Sequence, residues 1–284
     1  MGAWPQNYTS SWTLAAETER SGVGLHSGAT ARVRLAPSDR PGFWLGWLRQ
    51  PAQPLQRLEP AQVVDARLCT ALQLEGGRLA TVEHLLAALA GCGVTQAQIW
   101  VDGPEIPLLD GSALPWVEAI GETGLAPVVG APEAPVPLQP ITLQQGGSFV
   151  TALPTDGLLL AAAIEFSEAA IGRQLFSLAL TPALFVAEIA PARTFGLRSQ
   201  VEQLRAAGLI QGGGLDNALV CDGDRWLNPP LRFEDEPVRH KLLDLIGDLA
   251  LVGLPRAQVF AYRGSHGLHT ALAAALAALP ASPA

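Results

Sequence analysis

The chain has 284 residues, 49% of them hydrophobic and 15% charged, with a formal net charge of −8. That length suits two domains or one large one, and the apolar content is ample for a core. The negative balance argues against non-specific binding to nucleic acid or anionic membrane. No window approaches the roughly 18 uninterrupted apolar residues of a membrane span.

The first residues, "MGAWPQNYTSSW", show neither a basic n-region nor an apolar h-region, so no secretory signal is read there. Gln6 also breaks the myristoylation pattern. Cys69, Cys92 and Cys221 lie far apart without a CxxC spacing, which predicts buried thiols rather than a disulfide framework or a cysteine-ligated zinc. Cytoplasm is the expected compartment.

Short alternating runs, "ARVRL" and "QAQIWV", predict strands in the first part of the chain. Between them "TVEHLLAALAGCG" predicts a helix, with Thr81 as its N-cap. A second helix, "SALPWVEAIGETG", has Ser112 as a candidate N-cap, Pro115 in its first turn and Gly124 at its end. The Pro- and Gly-dense stretch that follows has no periodicity and predicts a linker over 129–139. Then "ITLQQGGSFVTAL" and "GLLLAAAIEF" predict strands, "SQVEQLRAAG" a helix, "NALVCDG" a strand, "VRHKLLDLIGDLALVG" a helix and "QVFAYRG" a strand. The tail "GLHTALAAALAALP" predicts a packing helix too short to span a membrane. Strands followed by helices, twice over, indicate an α+β fold. The expectation is two pseudo-duplicated domains, 1–128 and 140–284.

The helix near the C-terminus is the most charged run of a charge-poor chain. His240 and Asp244 are four apart and stack on one face, with Asp248 one turn further. Such a pair serves either as two metal ligands or as a simple hydrogen-bonded couple. Glu83 and His84 open the first helix, where a carboxylate is also favoured simply by the helix dipole. The zincin pattern is absent, because Ala88 stands where its second histidine would be. Only five histidines exist: His26, His84, His240, His266 and His269. Taking His84, His240 and Asp244 together gives three protein ligands with an open position, the arrangement of a catalytic zinc. Glu83 beside a ligand would act as general base, and His266, in a glycine-flanked loop, as a mobile acid. A mononuclear iron(II) oxygenase also uses two histidines and a carboxylate, but its local H-x-D pair is missing. A binding module that has lost its metal is a third reading.

The segments "GVGLHSG", "LCTAL", "TVEHLLAALAGCGV", "PEIPLLDGSALPWV", "ARTFG", "GGGLDNALV", "LRFEDEPVRHKLLDLIGDL" and "GSHGLH" occur in one order from about residue 21 to 276. In these the sequence resembles the zinc-dependent UDP-3-O-acyl-N-acetylglucosamine deacetylases of lipid A biosynthesis. The resemblance implies two pseudo-duplicated α+β domains, each a sheet layer with two helices, the helices packed between the sheets. It implies a β-α-β insert at about 194–220, an acylated UDP-amino-sugar as substrate and a monomer. Transient contact with the inner-membrane surface would suit such a substrate.

It implies His84, His240 and Asp244 as ligands of Zn²⁺, with Fe²⁺ an alternative metal in cells. Glu83 would be the base, His266 the acid and Asp248 the residue that orients it. Thr194 would face the oxyanion. Lys241, turned off the metal stripe, Phe195 and His26 would contact the substrate. Leu197, Val201, Leu204 and Gly213, among other insert residues, would line or support an acyl passage. Ser148 stands where many members place a basic residue for the diphosphate, and Arg263 would supply charge from the other side. His269 replaces a more usual amide-type residue and is expected to be exposed and uninvolved.

Overall fold

A computed structural model of the chain describes residues 4–130, 132 and 134–280. Two five-stranded sheets dominate it. The first runs β2 (Thr18–Val23), β3 (Thr30–Ala36), β9 (Gln96–Val101), β4 (Gly42–Trp47), β5 (Gln56–Arg57). The second runs β11 (Ile141–Gln145), β12 (Ser148–Pro154), β18 (Ala257–Tyr262), β13 (Leu159–Glu165), β14 (Arg173–Ala179). Within each the pairing is the same: two antiparallel ladders, then a parallel pair (β4 on β9, β13 on β18), then an antiparallel edge strand. Smaller sheets join β1 (Ser11–Leu14) to β10 (Leu125–Val128), and β6 (Val63–Asp65) to β7 (Ala71–Leu74) and β8 (Gly77–Leu79).

The helices repeat the pattern. α1 (Glu83–Gly91) and α2 (Leu114–Thr123) flank β9, as α5 (Glu236–Leu249) and α6 (His266–Ala277) flank β18. Pseudo-duplication, expected from element order alone, is thus borne out in strand order and direction. A short α3 (Pro182–Leu184) continues into a π-helical turn, Phe185–Ile189.

Alternation explains the layers. In β3, Ala31, Val33 and Leu35 are buried while Thr30 and Arg32 face solvent, the period of a one-sided strand. In β18, Ala257, Val259 and Ala261 do the same. Helix α1 packs on α2 and α5, α5 on α6 and β13, α2 on β2, and α6 on β11 and β12. The helices therefore lie between the sheets. One apolar cluster joins Leu35 and Ile99 of the first sheet through Leu85, Leu89, Leu242 and Ile246 to Leu160 and Val259 of the second. All three cysteines are free and buried. No helix among the described residues is long and apolar enough to cross a membrane.

The α1–α5 junction is unusually close. A β-carbon at Gly247 would lie 2.0 Å from the carbonyl oxygen of Glu83, so only glycine admits the first turn of α1. Backbone cannot yield as a flexible side chain would. Gly247→Ala is expected to lower unfolding free energy by about 2–3 kcal/mol or more, read as a shift of the urea midpoint. An unchanged midpoint would mean that the two helices are not in register at this point.

The boundary of α2 differs slightly from expectation. The helix starts at Leu114 with Ala113 at the cap, while Ser112 Oγ accepts from Leu114 N at 3.1 Å. Gly124 ends it at φ +71, as its position predicts. The β-α-β insert is present: β15 (Phe195–Leu197), α4 (Arg198–Ala206) and β16 (Leu219–Asp222), with β15 and β16 parallel and β17 (Arg225–Trp226) antiparallel to β16.

Candidate active site and metal centre

The first turn of α1 and the middle of α5 meet over a cavity of about 100 Å³. Its walls include Glu83, His84, Thr194, Phe195, His240, Lys241, Asp244 and His266. Thr81 is not the cap of α1: that position is Val82, without a side-chain bond. Thr81 instead holds φ +59 and donates its hydroxyl to Glu105 Oε1 at 2.8 Å. A left-handed, β-branched residue costs of order 1–3 kcal/mol and needs such an anchor. Glu105, 1% exposed, also accepts from the backbone of His26 and Ser27 and from the Ser27 hydroxyl. One buried carboxylate therefore sets both the entry to α1 and the β2–β3 loop.

Glu83 is buried, and Oε2 accepts from Thr70 N at 3.0 Å. Burial, the largest influence, raises its carboxyl to about 7. His84, beside it, has Nδ1 buried without a partner. Burial pushes the His84 imidazole down to about 3, and lowers His240 as well, so both are neutral donors of a lone pair. His240 Nδ1 lies 3.0 Å from the carbonyl of Ala192. A carbonyl only accepts, so Nδ1 carries the proton and Nε2 carries the lone pair. That lone pair faces Asp244 Oδ1 at 3.3 Å, and His84 Nε2 stands 3.8 Å from the same oxygen. Burial works to raise Asp244, yet Lys241 above all, with the cationic His266, outweighs it and holds the carboxyl well below its usual range.

The His240 lone pair thus confronts a carboxylate with no proton between them, and the neutral His84 ring stands beside it. The three donor atoms lie within 4.8 Å of one another. Something positive belongs at that point, and a nitrogen–nitrogen–oxygen set suits a divalent metal. These residues fit a metal on their own chemistry.

The opposite wall holds His266. Its Nδ1 donates to Asp248 Oδ2 at 2.9 Å, which turns Nε2 to within 3.8 Å of Glu83 Oε1 and 4.0 Å of Asp244 Oδ2. Burial works to lower this imidazole, but Asp248, Asp244 and Glu83 together raise it to about 10, so it is cationic at neutral pH.

Two sequence expectations need correction here. His269 is not exposed: it is 1% accessible, and its Nδ1 lies 3.1 Å from the same Asp248 oxygen. Lys241 is not turned away from the metal stripe. Its Nζ reaches Asp244 Oδ2 at 2.8 Å, and it lies 5.8 Å from the Phe195 ring centroid.

Thr194 is fixed by both halves of the chain. Its N donates to Gly111 O, and its O accepts from Leu219 N, each at 2.8 Å. The preceding residues are held by Glu236, fully buried, which accepts from Arg193 N, Nε and Nη2 and from Arg232 N. Phe195 sits edge-on to Phe166 at 5.5 Å and to His240 at 6.5 Å.

Other expected residues stand outside this cavity's lining. His26 has both ring nitrogens buried without partners. Its carbonyl and that of Leu25 accept from Gln211 N and Gly212 N, linking the β2–β3 loop to the insert. Leu197 is buried, while Val201 and Leu204 are half-buried on α4 and Gly213 lies in the loop beyond it. Arg263 is exposed, with φ +50, beside Gly147 in the hairpin that holds Ser148. Sequence reasoning missed Thr70, Glu105 and Glu236, and the lining residues Leu25, Leu68, Cys69 and Leu108. A second cavity of about 110 Å³, at the far ends of α1 and α5, brings together no histidine or carboxylate among the described residues.

Known proteins resemble the chain along nearly its whole length. The sequence profile of the UDP-3-O-acyl N-acetylglycosamine deacetylases matches residues 11–278. A UDP-3-O-acyl-N-acetylglucosamine deacetylase of Thermosynechococcus vestitus is 48% identical over 278 residues, 97% of each chain. One from a Nostoc species is 50% identical over 276 residues, 94% of this chain and 98% of its own. A third, from a Synechocystis species, is 45% identical over 93% of this chain and 98% of its own. With the profile covering all but the two ends, this chain belongs to the UDP-3-O-acyl N-acetylglycosamine deacetylase family.

Proposed function

We propose that this chain hydrolyses the N-acetyl group of UDP-3-O-acyl-N-acetylglucosamine, giving acetate and the free amino sugar, a committed step of lipid A biosynthesis. The observation that carries the reading is the convergence of His84, His240 and Asp244 with Glu83 and His266 on one small cavity. His84, His240 and Asp244 would hold a divalent metal, Zn²⁺ on this donor set, with Fe²⁺ also compatible. Such an ion supplies Lewis acidity, polarising a carbonyl and acidifying a water from about 15.7 toward roughly 7.

The chain's own groups divide the remaining work. Glu83 takes a proton from the attacking water, its carboxylate held in place by the Thr70 N–H. The Thr194 hydroxyl donates to the oxygen that gains negative charge as the carbonyl becomes tetrahedral. His266 Nε2 carries the proton that the departing amine needs, since an unprotonated amide nitrogen leaves poorly. Asp248 keeps His266 in the tautomer that points Nε2 inward. Lys241, Phe195 and His26 would meet the sugar, and Arg263 the diphosphate near Ser148. Leu197, Val201, Leu204 and Gly213 would line or support the path of the acyl chain.

Division into domains at 1–128 and 140–284 belongs to the same reading. So do a monomeric state, a cytoplasmic setting, no nucleic-acid partner and brief contact with the inner-membrane surface to collect an acylated substrate. The test is turnover of UDP-3-O-acyl-N-acetylglucosamine by purified protein, before and after chelation, with zinc returned. Activity lost on chelation and restored by low zinc is expected. A zinc-loaded protein that releases no acetate would overturn the assignment.

A further inference from the structure

His269 has no part in the reaction as described, yet it is among the most buried ionisable groups of the chain. We propose that His269 is a positioning residue, which fixes the carboxylate plane of Asp248 and through it the orientation of His266. The proposal rests on the deacetylase reading of the same cavity and deepens it.

Asp248 is fully buried, so each lone pair left unbonded there is costly. Thr70 Oγ1 donates to Oδ1. On Oδ2 two imidazoles converge: His266 Nδ1 at 2.9 Å and His269 Nδ1 at 3.1 Å. A carboxylate only accepts, so both rings carry their proton on Nδ1. The rings stand at 77° to one another, which means that Oδ2 is pulled from two directions. Together with Thr70, the three donors leave the carboxylate no free rotation about its Cβ–Cγ bond. His266 alone could follow a turning carboxylate; His269 removes that freedom.

The far side of the His269 ring supports the same role. Its Nε2 is buried and has no partner. A β-carbon at Gly264 would lie 2.4 Å from that nitrogen, so the ring sits directly against the backbone that leads into His266. The side chain is therefore wedged between Asp248 and the turn that leads into α6, with its Nδ1–H committed to Asp248. Three residues earlier on the same helix, His266 takes the other share of Oδ2.

The experiment compares metal-loaded wild type with His269→Leu and His269→Asn. Leucine keeps the bulk and loses the donor; the asparagine amide nitrogen falls near the Nδ1 position and restores it. Leucine is expected to lower kcat by ~10–100-fold, the range for partners one bond removed from a site, with KM within about twofold. Asparagine is expected to return kcat to within about threefold of wild type. Equal loss in both variants, or full kcat with leucine, would overturn the role.

A second readout is independent of turnover. In ¹⁵N-histidine spectra the His266 Nδ1–H signal should persist in the asparagine variant and shift or broaden in the leucine variant. If wild type itself fails to release acetate, the deacetylase reading falls, and the spectra alone decide. An unmoved His266 signal in the leucine variant then removes the positioning role as well.

Discussion

Glu83→Gln is expected to lower kcat by ~10²–10⁴-fold, the contribution of a general base, with the fold unharmed. The substitution keeps the size of the side chain, and the glutamine Oε1 can still accept from Thr70 N as Glu83 Oε2 does. What it removes is the ability to take a proton. Because burial already disfavours the charged carboxylate, the neutral amide should leave thermal stability equal or slightly higher. The combination discriminates: kcat collapses while the melting midpoint and the metal content hold. A variant retaining more than a tenth of wild-type kcat would assign the proton to another group.

Asp244→Ala should act on binding of the metal itself. The carboxylate is the only anionic member of the candidate ligand set, and the Nε2 atoms of both histidines face it. Metal per chain is expected to fall from about one to near zero after dialysis. The lost Lewis acidity corresponds to several kcal/mol, and about 1.4 kcal/mol per tenfold translates that into a rate loss of ~10³-fold or more. Lys241 loses its partner but is 26% exposed at its side chain and can turn to solvent, so the variant should fold. Full metal content by elemental analysis would sink the ligand assignment.

The candidate ligand set was legible in the sequence because two of its members share a helix face. His240 and Asp244, four apart among leucines, announce a buried polar stripe, and the shortage of histidines narrows the third ligand to few choices. The duplicated order of strands and helices could also be read. Strand pairing could not: β4 joins β9 and β13 joins β18 in parallel, across stretches of chain that local pattern does not connect. His269 was misjudged for a related reason. At the start of the tail helix it looks like an exposed residue, and only tertiary packing brings Asp248 to its Nδ1 and Gly264 to its Nε2. Thr81 was misjudged because a Ser or Thr before a helix is the ordinary signal of a cap, whereas here Glu105 draws the hydroxyl away. Glu105 and Glu236 carried no signal, since each acts on loops remote in sequence.

The close crossing of α1 and α5 has an evolutionary reading. These helices occupy equivalent places in the two repeats, each leading into the central strand of its sheet, and they touch where Gly247 meets the backbone of Glu83. The contact is therefore one between matching elements of the two repeats. A true symmetric pair would offer the same residues from both sides there. This chain offers a Glu-His pair from one helix and a His-x-x-x-Asp stripe from the other, 156 positions away (240 − 84). The two repeats therefore differ where they meet. A scaffold built twice thus assembles one candidate centre from both repeats, and neither repeat alone holds all of its groups.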